Sequence, residues 1–129
     1  MKKAKPKVSI IICYYKKKFF FKKTITSILK QTYKNYELIV IYDDNSKTEL
    51  KFVKKILKKI PKFKIIINEK NIGAGLSRNK GIKYAKSEGY GYIMLLNNDT
   101  EVDKNFIEPL LNRLNLEKKI VAVQPFVLN

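Results

Sequence analysis

Apolar residues in this chain gather into five short continuous runs, residues 8–13, 37–42, 63–67, 92–96 and 119–124, separated by stretches where they recur every three or four positions. The runs are rich in Ile and Val and do not alternate with polar residues, the pattern of strands covered on both faces in a parallel sheet. Between the first two runs, Phe21, Ile25, Ile28 and Leu29 line one side of a helix, and between the second and third, Leu50, Val53, Ile56, Leu57 and Ile60 do the same. A third helix is expected over 74–87, offering Leu76, Ile82 and Ala85 to the sheet and stopping near Gly89. Phe106, Ile107, Leu110, Leu111 and Leu114 mark a fourth, interrupted by Pro109. Proline costs about 3 kcal/mol in a helix interior and little in a first turn, so this helix begins near Pro109 or kinks there.

Strands alternating with helices call for right-handed crossovers and a doubly wound sheet, with ligands at the carboxyl ends of the strands. The expected fold is α/β, a Rossmann-like three-layer α/β/α arrangement around a mostly parallel sheet of about five strands. A length of 129 residues suits one such unit, and no internal repeat, linker or composition shift marks a second.

Charge changes the picture of possible partners. Against 11 acidic residues stand 28 basic ones, nearly all Lys, giving a net charge of +17 with no His. Such a surface attracts polyanions, but charge alone carries no specificity, and the lysines of 16–18, 54–59 and 62–64 fall on segments that read as solvated helix surface or loop. No nucleic-acid-binding motif accompanies them, so no specific nucleic acid is expected. Cys13 is the sole cysteine, which excludes an internal disulfide and a cysteine zinc cluster and suits a reducing compartment. The start, Met1 to Lys7, is basic, yet the apolar run after it is too short and too β-branched for a signal peptide or a membrane span. A cytoplasmic location is therefore expected, with peripheral contact with an anionic membrane at its inner face as a further expectation.

Three loops after strands carry the candidate chemistry. The first, Tyr42-Asp43-Asp44-Asn45-Ser46, places two carboxylates where a base or ribose would lie. Helix capping by Asn45 or Ser46, with Glu49 closing a capping box, explains the rest of that loop but leaves Asp43 and Asp44 without a reason. In the second, 68–81, Gly73 and Gly75 permit close backbone approach and Arg78 offers a guanidinium fork to a phosphate or base, although a loop needing positive φ before a helix would read alike. The third, 95–103, sets Asp99 beside Asn97 and Asn98, hard oxygen ligands for Mg²⁺ or Mn²⁺ shared with substrate phosphates. Its competing role is a helix N-terminus capped by Asp99 or Asp103. Three ligand-rich loops following successive strands of one sheet favour the metal.

Taken in order, these segments resemble the family-2 glycosyltransferases of the GT-A fold. The opening Val8-Ser9-Ile10-Ile11-Ile12-Cys13-Tyr14-Tyr15-Lys16 looks like the family's first strand and turn. The stretch from Ser27 through Gln31-Thr32-Tyr33, Asn35 and Glu37 is similar to the one leading to its Asp-Asp-x-Ser loop, Asp43 to Ser46. Asn71-Ile72-Gly73 with Ser77-Arg78-Asn79-Lys80-Gly81 matches a further motif, and Leu96-Asn97-Asn98-Asp99 sits at its Asp-x-Asp metal motif.

The resemblance implies a donor site for a nucleotide-diphosphate sugar of UDP or dTDP type, with a glycan or lipid-linked acceptor. Tyr15 would stack near the base, Asp43 or Asp44 would bind its edge, Arg78 would lie near base and diphosphate, Cys13 and Asn98 would complete the nucleotide contacts, and Asp99 would hold a divalent Mn²⁺ or Mg²⁺. Cys13 replaces the family's usual Pro, Lys16 its Asn, and Asn97 the first acidic residue of Asp-x-Asp, which leaves metal binding to Asp99. The family's acceptor half and its acidic general base have no counterpart before Asn129, so an excised, truncated or split enzyme is expected, with no general base of its own. Alternatives are a non-catalytic nucleotide-binding remnant, a nucleotidyltransferase lacking a Gly-rich turn after the first strand, and a basic polyanion-binding protein.

Overall fold

The computed structural model describes residues 5–128, so part of the basic opening, residues 1–4, lies outside the described residues, as does residue 129. Strands and helices alternate as β1 (Val8–Tyr14), α1 (Lys18–Leu29), β2 (Tyr36–Tyr42), α2 (Lys47–Leu57), β3 (Phe63–Ile67), α3 (Ala74–Ser87), β4 (Tyr92–Asn97) and α4 (Ile107–Leu114). All pairings are parallel and the sheet order is β3-β2-β1-β4. The order reverses between β1 and β4, which puts the topological switch point, and hence the ligand crevice, at their carboxyl ends.

Successive residues of a strand face opposite sides of the sheet, and the two faces are packed unequally. Val8, Ile10, Ile12 and Tyr14 of β1 join Leu38, Val40 and Tyr42 of β2 in the larger core, against Phe21, Ile25 and Ile28 of α1, Val53, Ile56 and Leu57 of α2, and Ile107 and Leu111 of α4. On the other face Ile11, Ile39 and Ile41 pack with Ala85 of α3. The continuous apolar runs of β1 and β2 thus reflect burial on both sides. The flanking β3 and β4 are more open, and β4 alternates, with Ile93 and Leu95 exposed.

Helix α3 spans the expected residues but seats differently. Leu76 is 61% exposed, and the residues buried against the sheet are Ser77, Gly81 and Ala85, each four apart. The reason is close approach: a Cβ on Gly81 would come within 2.6 Å of Ile11 Cγ2. Only small side chains let this helix lie so near β1, and Leu76, one position off that stripe, is turned out. In α4, Pro109 falls in the first turn, where its missing N–H costs nothing. Four strands are described against about five expected, because residues 119–124 run as irregular chain, with the Ile120 N–H closing a turn onto Glu117 O at 3.1 Å and Val121 exposed. A β-branched run becomes a strand only where a neighbouring edge supplies ladder partners, and among the described residues none pairs with it.

Candidate functional site

The register places Cys13 beside Ile41 on one side and Asn97 on the other, with Tyr14 beside Tyr42. The loops leaving β1, β2 and β4 therefore start at one level. They are tied together across the switch point. Lys16 N–H donates to Asp44 Oδ2 at 3.2 Å, and Asn98 Nδ2 donates to the carbonyls of Tyr15 and Lys16 at 3.3 and 3.1 Å. Lys17 Nζ meets Asp99 Oδ2 at 2.8 Å, and Arg78 Nη2 donates to Asn97 Oδ1 at 2.9 Å.

The two adjacent carboxylates after β2 have separate duties. Asp43 is buried and accepts on both oxygens, from Asn68 Nδ2 and Ile72 N–H on Oδ1 and from Asn71 Nδ2 and Gly73 N–H on Oδ2, all within 2.8 to 3.2 Å. These bonds use the lone-pair sites of the carboxylate and pin loop 68–73 to the end of β2. Lys80 Nζ, 2.7 Å from Asn68 Oδ1, fixes the orientation of that amide. Gly73, at φ 90°, brings its N–H onto Asp43 in a conformation that glycine alone adopts without strain.

Asp44 accepts one bond per oxygen, from Lys16 N–H and from Ser46 N–H at 3.1 Å, and each oxygen keeps acceptor capacity. Ser46 caps α2 as expected, its hydroxyl accepting from Glu49 N–H at 3.2 Å, but the capping box is divided differently. Asp44 takes the Ser46 N–H, while Glu49 Oε2 accepts from the buried Tyr14 hydroxyl at 3.0 Å.

The remaining candidates line the same rim. Tyr15 is half-exposed, with Lys16 Nζ 5.1 Å from its ring centroid, and presents a flat aromatic surface. Cys13 is half-buried at the end of β1. Burial pushes its thiol up from its ordinary value, with the Asp43 carboxylate adding to that, while the Ser77 hydroxyl and Arg78 oppose it. Neutral thiol is the resting form, so Cys13 brings packing surface rather than charge to the rim.

Asp99 is no helix cap. Helix α4 starts eight residues later without a side-chain cap, and Asp103 Oδ1 accepts from Asn105 N–H at 2.9 Å instead. Residues from the Gln-Thr stretch hold the Asp99 loop: Ser27 Oγ accepts from Val102 N–H at 3.2 Å, Gln31 Nε2 donates to Asp103 O at 2.6 Å, and Thr32 N–H donates to Lys104 O at 2.9 Å. Among the described residues no cluster of three His, Cys, Asp or Glu side chains is placed to hold an ion. One carboxylate flanked by two amides is no all-protein cage, but it fits the mode in which Mg²⁺ or Mn²⁺ keeps waters and takes phosphate oxygens from the substrate.

Lys17 is the rim residue that sequence reading assigned to a solvated run. It and Lys16 hold φ near 58°, values of 59° and 57°, in the left-handed region that costs a bulky residue roughly 1–2 kcal/mol. The bonds from Lys16 to Asp44 and from Asn98 to the Tyr15 and Lys16 carbonyls impose that turn, and no glycine advertises it in the sequence.

Comparison with known proteins gives a consistent family. Residues 9–128 match the family described as Glycosyl transferase family 2. The cholesterol galactosyltransferase of Borreliella burgdorferi is 30% identical over 122 residues, covering 95% of this chain and 33% of that protein. S. aureus TarS 1-349, solved in complex with UDP-GlcNAc, superposes with a TM-score of 0.72 at 23% identity, over 84% of this chain and 31% of that one. A mannosyltransferase from Pyrobaculum calidifontis, in complex with GDP-Man and Mn²⁺, gives a TM-score of 0.67 at 15% identity, over 76% and 29% of the two chains. These structures share the fold, that of GT-A glycosyltransferases, and the chain spans about a third of the curated relative's length. With a family match running through every loop of the rim, the chain belongs to glycosyl transferase family 2.

Proposed function

We propose that this chain is the donor-binding part of a cytoplasmic glycosyltransferase that takes a sugar from a nucleotide-diphosphate donor of UDP or dTDP type and passes it to a glycan or lipid-linked acceptor. The observation that carries this reading is the convergence of Asp44, Arg78 and Asp99 on one rim, cross-tied by Lys16 and Asn98. That solved relatives of the same fold hold UDP-GlcNAc, or GDP-Man with Mn²⁺, supports it.

In this reading Tyr15 offers its exposed ring to the base, and Asp44, with acceptor capacity left on both oxygens, takes a ring N–H. Asp43 has none left and acts by positioning loop 68–73. Arg78 reaches the diphosphate from the first turns of α3, and Cys13 and Asn98 shape the floor between them. Asp99, with the neighbouring amides, would hold a divalent Mn²⁺ or Mg²⁺, which when bound supplies positive charge against the departing nucleoside diphosphate. Lys17 must leave Asp99 for that, and its ammonium is then free to meet a diphosphate oxygen. The attacking hydroxyl and the base that deprotonates it belong to the acceptor side, to which none of these residues is assigned.

Calorimetry with UDP tests the assignment. Mn²⁺ should strengthen UDP binding to the parent chain, and Asp99→Ala should abolish that gain, a loss of tenfold or more, on the order of 1.4 kcal/mol. Equal metal-dependent binding by the variant would remove Asp99 from the site. Sugar transfer or donor hydrolysis by the chain then separates an active module from a nucleotide-binding one.

A further inference from the structure

Helix α1 has an outer face that the donor site does not use. Phe21 points into the core, while Phe19 and Phe20 beside it are 71% and 54% exposed. Phe19, Lys22, Lys23 and Thr26 follow one another at i, i+3, i+4 and i+7, a single exposed stripe, and Lys16 and Lys17 extend it past the helix start. Alongside runs a groove of about 520 Å³, bordered by Phe19, Lys22, Lys23, Lys30, Val102 and Lys104, with Glu101 as its one acidic side chain.

Other lysine-rich surface here differs. Helix α2 carries Lys47, Lys51, Lys54 and Lys55 with no exposed large apolar residue among them. On α1 the first turn has no acidic residue, and lysines crowd the positive end of the helix dipole, where cations are disfavoured. Two phenyl rings at the centre of that charge match one chemistry well: the headgroup region of an anionic bilayer. There the rings enter the boundary of the acyl chains while the lysine stems follow them and leave their ammonium groups among lipid phosphates.

We infer that the Phe19–Phe20 end of α1, with Lys16, Lys22 and Lys23 around it, docks this protein onto an anionic membrane surface. Docking by this face presents the donor rim to the bilayer, because Lys17 reaches Asp99 and Glu101 and Val102 border the groove two and three residues further on. Of the two acceptor classes it then favours the lipid-linked one, a consequence that rests on the donor-site reading, whereas the docking does not.

The chain contains no Trp, so Phe19→Trp or Phe20→Trp creates a sole tryptophan, excited apart from the tyrosines, as a fluorescent reporter. With vesicles of phosphatidylcholine containing about a third phosphatidylglycerol, its emission should shift to the blue and become quenched by brominated lipid. With phosphatidylcholine alone, neither change should occur. In flotation assays the doubly substituted Phe19→Ser/Phe20→Ser chain should lose roughly tenfold or more in partitioning, and Lys54→Gln/Lys55→Gln on α2 should lose less. Flotation of the serine variant equal to the parent, an unshifted reporter on bound protein, or no vesicle binding at all would each overturn the proposal. UDP calorimetry on the same variants keeps the two readings apart, since docking without nucleotide binding would sink only the donor site.

Discussion

The crevice has two unlike halves, one built on β1 and β2 and the other on the loop after β4. In the first, strands are buried on both faces, Asp43 spends every acceptor on loop 68–73, and Tyr14 and Tyr42 lie stacked beneath with ring centroids 5.3 Å apart. In the second, β4 is an open edge and Asp99 meets a single lysine, the two side chains 34% and 56% exposed. A carboxylate already saturated by protein donors is structure, and one held by a displaceable ammonium is capacity for a ligand. Two aspartates of equal formal charge thus do opposite things, and substitution separates them.

The largest effect is expected at Asp43. Asp43→Ala strands the N–H groups of Ile72 and Gly73 and leaves the Asn68 and Asn71 amides only Ser77 Oγ and the residue-43 carbonyl as acceptors, at a cost of about 3–5 kcal/mol in chemical denaturation. Asp43→Asn should fare little better, because an amide offers one acceptor oxygen where the loop needs two and turns its NH₂ toward a backbone N–H. If Asp43→Asn kept the parent's stability, the distinction between the two halves would fail.

Reading the sequence recovers the frame better than the wiring. Apolar runs place the four strands to within two residues, α3 occupies 74–87, and Pro109 sets the start of α4. Those features are local, fixed by periodicity and backbone chemistry. Leu76 misleads because the seat of α3 is measured in missing atoms, Ser77, Gly81 and Ala85, which a hydrophobic pattern does not register. At the rim, Asp43 and Asp44 are indistinguishable as letters. Their partners arrive from 28 residues away at Lys16 and from as far as 30 residues away at Gly73. The Lys17 contact with Asp99 spans 82 residues. Such long-range pairing has no local signature, and the lysines with positive φ hide it further.

A middle-sized effect belongs to the tyrosines under the rim. Burial raises both hydroxyls, that of Tyr42 to about 12, with Asp44 and then Glu49 adding to it, and that of Tyr14 further, through burial and then its hydrogen bond to Glu49. Their neutral forms are favoured in the fold, so this stability is complete below the unfolded value of about 10 and is lost as pH rises toward the folded values. Denaturation midpoints should fall from about pH 10 to 12, each retained proton steepening the decline by about 1.4 kcal/mol per pH unit. Tyr14→Phe/Tyr42→Phe should give a flatter decline from a start lowered by about 1 kcal/mol per lost hydrogen bond. A decline equally steep in the double variant would place the titrating groups elsewhere.

The smallest effect sharpens the contrast most. Asp99→Ala removes a pair whose members are both substantially solvated, and exposed pairs of this kind contribute about 0–1 kcal/mol. The loop itself is held by Ser27 of α1 and by Gln31 and Thr32 just after it, none of which touches the Asp99 carboxylate. Denaturation of Asp99→Ala should therefore stay within about 0.5 kcal/mol of the parent, and raising the salt should narrow even that, since screening weakens the exposed pair in the parent. The variant that removes metal-dependent nucleotide binding would thus be among the least harmful to the fold. A loss of stability on the scale of Asp43→Ala would mean that Lys17 and Asp99 are a strut across the switch point, and would take away Asp99 as the carboxylate that holds an ion.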